Sequence, residues 1–187
     1  QAVAPTDIEN LWAIPANLDL AGAEVELMPR VARETVLRRA LEPIRGKYDV
    51  VLLDTPPSLG ILTVNGLTAA DAAIVPIQCE YYALEGVSQL MRTVEVVQSC
   101  LNLGLHVALV ILTMFDARVR LSQQVADEVR GVFTDRVSQV VVPRNVRLSE
   151  APSHGKPIAF YDPFSRGAEA YRRLAREVMH LEQTRSR

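Results

Sequence analysis

An aspartate closes an apolar run in the stretch YDVVLLDTPPSLG, residues 48–60. Val50, Val51, Leu52 and Leu53 lead into Asp54, and Thr55, Pro56, Pro57, Ser58, Leu59 and Gly60 follow. A carboxylate fixed at the tip of a strand suits Mg²⁺, which takes hard oxygen ligands in near-octahedral geometry and is often held by one or two carboxylates plus substrate phosphates. This is the arrangement of a Walker B carboxylate beside nucleotide phosphates. An aspartate at the same place also caps a following turn or helix, and the apolar run alone leaves both readings open. The prolines favour the first. Two in succession fix φ and withdraw two backbone donors, which predicts a stiff loop beside the metal position, and Gly60 lets the chain turn into the next helix.

The elements that must position this loop are legible as five short apolar runs: 11–15, 49–54, 72–77, 106–113 and 137–143. They are continuous rather than alternating, as strands buried on both faces of a parallel sheet are. Between them, apolar residues recur at helical spacing over 32–45, 83–102, 122–133 and 166–183. Strand, helix, strand at this rhythm predicts βαβ units in one α/β domain with a mostly parallel sheet and right-handed crossovers. Ligands of such folds bind beyond the carboxyl ends of the strands. That rule selects 54–60, 78–80, 114–118 and 143–147 as the segments to inspect.

The bulk properties set outer limits. A chain of 187 residues with 49% hydrophobic and 22% charged residues can bury one substantial core. Its net charge of −2 is unevenly spread, with nine Lys/Arg against five Asp/Glu from Arg144 onward and eleven against seventeen before it. The C-terminal quarter is therefore basic enough to meet phosphates, although charge runs are commonly solvated faces. Cys79 and Cys100 make neither a metal cluster nor a disulfide framework, and they suit a reducing, cytoplasmic setting. Cys79, ending an apolar run, reads as a small buried hydrophobe, and Trp12 as core. No apolar run approaches the roughly 20 residues that span a bilayer.

Several segments, taken in order, carry a resemblance. ENLWAIPANLDLAGAEVEL (9–27), YDVVLLDTPPSLGILTVNGLTAADAAIVPIQCEYYALEGVSQL (48–90), LTMFDARVRLSQQVADEV (112–129) and VVPRNVRLSEAPSHGKPIAFYDPFSRGAEAYRRLAREV (141–178) resemble the ParA/Soj chromosome- and plasmid-partition ATPases. These belong to the deviant-Walker-A superfamily, which also holds MinD-type division-site proteins. The resemblance implies a P-loop NTPase-like fold with helices on both faces of the sheet, and ATP and Mg²⁺ as cofactors. It further implies an ATP-dependent homodimer, non-specific binding of duplex DNA, a ParB-like partner that stimulates hydrolysis, and a cytoplasmic, nucleoid-associated life without a membrane.

Carried onto this sequence, the resemblance gives Asp54 the Mg²⁺ and Thr55, Pro56 and Pro57 the switch II loop that senses the γ-phosphate. Glu80 matches an acidic position near the dimer interface, although a carboxylate at a helix start is also favoured by the helix dipole. Met114, Pro143 and Asn145 fall where relatives hold adenine, and an asparagine amide offers that base a donor and an acceptor together. Asn145 equally suits the start of the short helix that follows. Arg118 and Arg147 match arginines that relatives use on DNA, and guanidinium pairs with phosphate bidentately. His154 lacks any triad or metal spacing and reads as structural.

One part of the family pattern is absent. A P-loop requires G-x-x-x-x-G-K-[ST], and the two Gly-Lys pairs, Gly46-Lys47 and Gly155-Lys156, do not fit it. The chain also starts Gln1-Ala2-Val3, so it is expected to be the C-terminal portion of an ATPase, its N-terminal P-loop part missing, and unable to hydrolyse ATP alone. A P-loop-less dimerisation or DNA-binding module is the alternative. A MinD-like membrane protein would need a terminal amphipathic helix with large apolar residues, and the ending HLEQTRSR offers only Leu181.

Overall fold

The computed structural model describes residues 2–81 and 83–185, without the side chains of 83–85 and 182–185. The end of HLEQTRSR thus lies outside the described residues. The chain gathers into two compact units, Gln1–Ala69 and Ala70–Arg187.

In the first unit, β1 (Ala4–Pro5) pairs antiparallel with β2 (Trp12–Ala13). Trp12 packs edge-on to Tyr48 at 5.4 Å but stays half exposed, not in the core as its apolar neighbours suggest. Helix α1 (Asp19–Leu27) follows. The helix expected over 32–45 is broken into a 3₁₀ turn, a short α2 (Val36–Leu41) and a second 3₁₀ turn. Pro43 ends the α-helical pattern because it lacks a donor and its ring crowds the preceding turn. Helix α3 (Ile61–Ala69) is held to this segment by Asn65. The buried Asn65 amide donates to the Arg33 and Ile61 carbonyls, each at 2.9 Å, and its Oδ1 accepts the Leu37 N–H at 3.0 Å. Every polar atom of that side chain is used, as burial demands.

The run 49–54 departs from expectation. It forms no strand ladder among the described residues, and Val50, Val51 and Leu52 are 56%, 49% and 79% exposed. A strand needs a neighbour to accept and donate its backbone bonds. Among the described residues of this unit, β1 and β2 pair only with each other.

The second unit is parallel α/β. Strand β3 (Ala73–Gln78) lies parallel to β4 (Val107–Thr113), with Ile74 opposite Leu109 and Gln78 opposite Thr113. Along the other side of β4 runs 137–143, bonded through Ser138 N to Val110 O at 2.8 Å and Val142 N to Leu112 O at 2.9 Å. Helices α4 (Ala83–Cys100) and α5 (Arg120–Phe133) alternate with the strands. The short α6 (Val146–Glu150) and α7 (Ile158–Tyr161) precede the long α8 (Arg166–Arg185). Leu109, Ile111, Val140 and Val142 form a core with Ala170 and Leu174 of α8. Val110 and Leu112, which alternate to the opposite face of β4, are fully buried as well. That two-sided burial is what the continuous apolar sequence predicts. Cys79 is buried, as expected.

Candidate functional site

The Asp54 loop is shaped by its contacts with α3. The Thr63 hydroxyl donates to the Ser58 carbonyl at 2.6 Å and lies 3.3 Å from the Pro56 carbonyl, so the turn after the prolines is tied to the helix that follows. Gly66 makes this approach possible, since a Cβ there would meet Thr55 Cγ2 at 2.8 Å. Asp54 itself is exposed and has no hydrogen bond or ion pair among the described residues. An uncommitted hard-oxygen carboxylate held by a stiff loop fits a Mg²⁺ ion that keeps several waters and takes phosphate as its other ligand. No cluster of three or more His, Cys, Asp or Glu side chains among the described residues is placed to hold a metal ion.

In the second unit, the ends of β4 and of 137–143 bring the other candidates together. Phe115 bridges to Pro143, with Arg144 N–H donating to the Phe115 carbonyl at 2.9 Å. Met114 therefore stands on the same edge as Pro143 and Asn145. Its backbone is left-handed, φ 53°, a conformation uncommon outside glycine that often marks functional turns. Asn145 starts α6: its Oδ1 accepts the Arg147 N–H at 2.9 Å. The cap uses the amide oxygen and leaves the amide nitrogen for another acceptor.

The charged residues on this edge are paired. Glu80 forms an ion pair with Arg144. The Arg118 side chain, 88% exposed, binds Asp116 through Nε at 3.0 Å and Nη2 at 2.8 Å. Those bonds hold the Asp116 carboxyl down at about 2. Arg147 meets Glu150 at 2.9 Å and Asp162 at 3.5 Å. Arg147, and then the Tyr161 hydroxyl at 3.1 Å, hold the Glu150 carboxyl below its usual range. His154 stacks on Tyr161 at 4.7 Å, in keeping with a structural histidine.

Sequence reasoning missed Gly66, Ser122 and Glu177. Ser122 is buried and accepts the Asp116 N–H at 3.1 Å, steadying the turn that carries Arg118. Only tertiary contacts single these residues out.

A family model described as an AAA domain matches residues 1–107. The sporulation initiation inhibitor protein Soj of Bacillus subtilis is 58% identical over 176 residues, 94% of this chain and 70% of that protein. The chromosome partitioning protein ParA of Myxococcus xanthus is 52% identical over 182 residues, 97% of this chain and 64% of its own length. A solved structure of cobyrinic acid a,c-diamide synthase from Mycobacterium smegmatis, with bound ADP and magnesium, matches at TM-score 0.80 and 39% identity, over 97% of this chain and 66% of that one. The Pyrococcus furiosus cell division ATPase MinD matches at TM-score 0.72 and 22% identity, over 96% of this chain and 70% of that one, and bears on the fold alone. The chain spans about two thirds of the length of these relatives. On the strength of the sequence identities, it belongs to the Soj/ParA family of chromosome-partitioning proteins.

Proposed function

We propose that this chain serves ATP-dependent partitioning of DNA, as part of a ParA-type ATPase domain. The ATP-bound form would pair with a second copy, bind duplex DNA without sequence preference on the nucleoid, and be released when a ParB-like partner stimulates hydrolysis. The observation that carries the reading is Asp54, an uncommitted carboxylate at the end of an apolar run, beside a proline loop tied to α3. Mg²⁺ held there would neutralise charge on the β- and γ-phosphates. Thr55, Pro56 and Pro57 would report the γ-phosphate. Met114, Pro143 and Asn145 would hold the base, and Glu80 would lie at the subunit contact. Arg118 and Arg147 would meet DNA phosphates.

The lysine-bearing phosphate loop is not in this sequence, so ATP hydrolysis by the chain alone is expected to be negligible. The partitioning relatives are 52–58% identical, against 39% for the diamide synthase structure, which favours DNA over a small-molecule amide acceptor. Fluorescence anisotropy with unrelated duplexes tests the reading. Equal affinities that fall steeply with salt are expected. Sequence-selective binding, or none with Mg²⁺-ATP present, would overturn it.

A further inference from the structure

Helix α8 and the segment 138–140 border a shallow, solvent-open cleft of about 430 Å³ lined by Gln139, Val140, Arg173, Arg176, Glu177 and His180. The helical residues recur at three- and four-residue spacing and therefore share one side of α8. Glu177 brings one negative charge to this lining against the two guanidinium groups of Arg173 and Arg176. Here both of its oxygens are taken: Oε2 accepts from Ser138 Oγ at 2.6 Å and Oε1 from Gln139 N at 3.1 Å. Neither Arg173 nor Arg176 pairs with a carboxylate among the described residues, whereas Arg118 and Arg147 both do.

The cleft has a firm base and an extension. Ala170 and Leu174 are buried in the core and Val178 packs against it, so the arginines spring from a fixed backbone. Arg166, two turns before Arg173, stands on the same side and also lacks a carboxylate partner among the described residues. From Arg166 to His180 the row is about 21 Å long, at about 1.5 Å per residue. Duplex DNA carries about one negative charge per 1.7 Å of its axis, so a row of this length passes several phosphates. Val140 is the one apolar residue of the lining, which leaves a peptide without the buried anchor that protein partners need.

We propose that the α8 cleft binds the phosphodiester backbone of duplex DNA as a sequence-independent contact distinct from Arg118 and Arg147. The proposal rests on the DNA-binding reading above. Its test is the salt dependence of duplex binding by this chain, compared with the double variant Arg173→Ala/Arg176→Ala and with Arg173→Lys/Arg176→Lys. Losing two phosphate contacts should flatten the plot of log affinity against log salt by about 2. The alanine variant should then lose about tenfold less affinity than the parent between roughly 50 and 200 mM salt. The lysine variant, which keeps the charges, should retain the parent slope.

Parent binding with an unchanged slope in the alanine variant overturns the proposal alone. Flattening in the lysine variant as well marks a structural rather than a charge effect and also overturns it. Absence of binding by the parent overturns the partitioning reading together with this one. Displacement of the duplex by polyglutamate as readily as by unlabelled DNA would assign the cleft to acidic protein instead.

Discussion

Asp116 grips Arg118 with both carboxylate oxygens, and its Oδ1 also accepts the Arg118 backbone N–H at 3.0 Å. The carboxyl is held at about 2, below its ordinary 3.8, chiefly by the Arg118 side chain and then by that backbone bond. A carboxyl depressed on folding contributes stability that is present above its unfolded value and lost as pH falls through the folded one. The grip therefore holds at neutral pH and lets go only between roughly pH 4 and 2. Asp116→Asn should free the guanidinium at pH 7. If Arg118 meets DNA, duplex affinity should rise and its salt slope steepen by about 1. An unchanged slope would remove Arg118 from the DNA surface.

Asp54 offers a readout independent of turnover. With ATP present, Mn²⁺ substituted for Mg²⁺ should broaden the NMR signals of the loop 54–58 by its paramagnetism. Asp54→Asn should abolish that broadening and leave the chain folded, because the carboxylate makes no bond that folding needs. Broadening that survives the substitution would place the metal elsewhere.

Gly167 on α8 is a notch for Leu148. A Cβ at 167 would meet Leu148 Cγ at 2.7 Å and both its methyl carbons within 3.1 Å. Gly167→Ala should cost about 1–3 kcal/mol by overpacking, despite the gain in helix propensity of about 1 kcal/mol. Urea denaturation measures this. Combined with Leu148→Ala, the loss should be less than the sum of the single losses, since the two side chains compete for one space.

The sequence spoke most clearly where a segment's environment is written in its own residues. Strand β4 reads as continuous apolar because both its faces are buried, and the structure places it one residue from the expected start. Run 49–54 is as apolar, yet a ladder depends on a neighbour that no local pattern specifies. Segment 137–143 lies between these cases. The Ser138 hydroxyl takes the Val140 N–H at 2.9 Å and Glu177 takes that of Gln139, so local side-chain bonds replace part of the ladder. In the sequence Asn145 is ambiguous, because one amide can both cap a helix and meet a base. The capping bond is present, and it leaves the amide nitrogen available. The pairing of Arg118 with Asp116 joins residues two apart in a turn whose shape is fixed by Ser122, which spacing alone does not reveal.

Leu148 borders two hydrophobic clusters of the second unit and is seated against Gly167. Arg147 is its neighbour in α6, a helix of five residues. Such a short helix has little rigidity of its own. Clamped through Leu148, it behaves as a bracket fixed to the beam of α8. The backbone that carries the Arg147 guanidinium is thereby anchored, one residue away, in the core that holds Ala170 and Leu174.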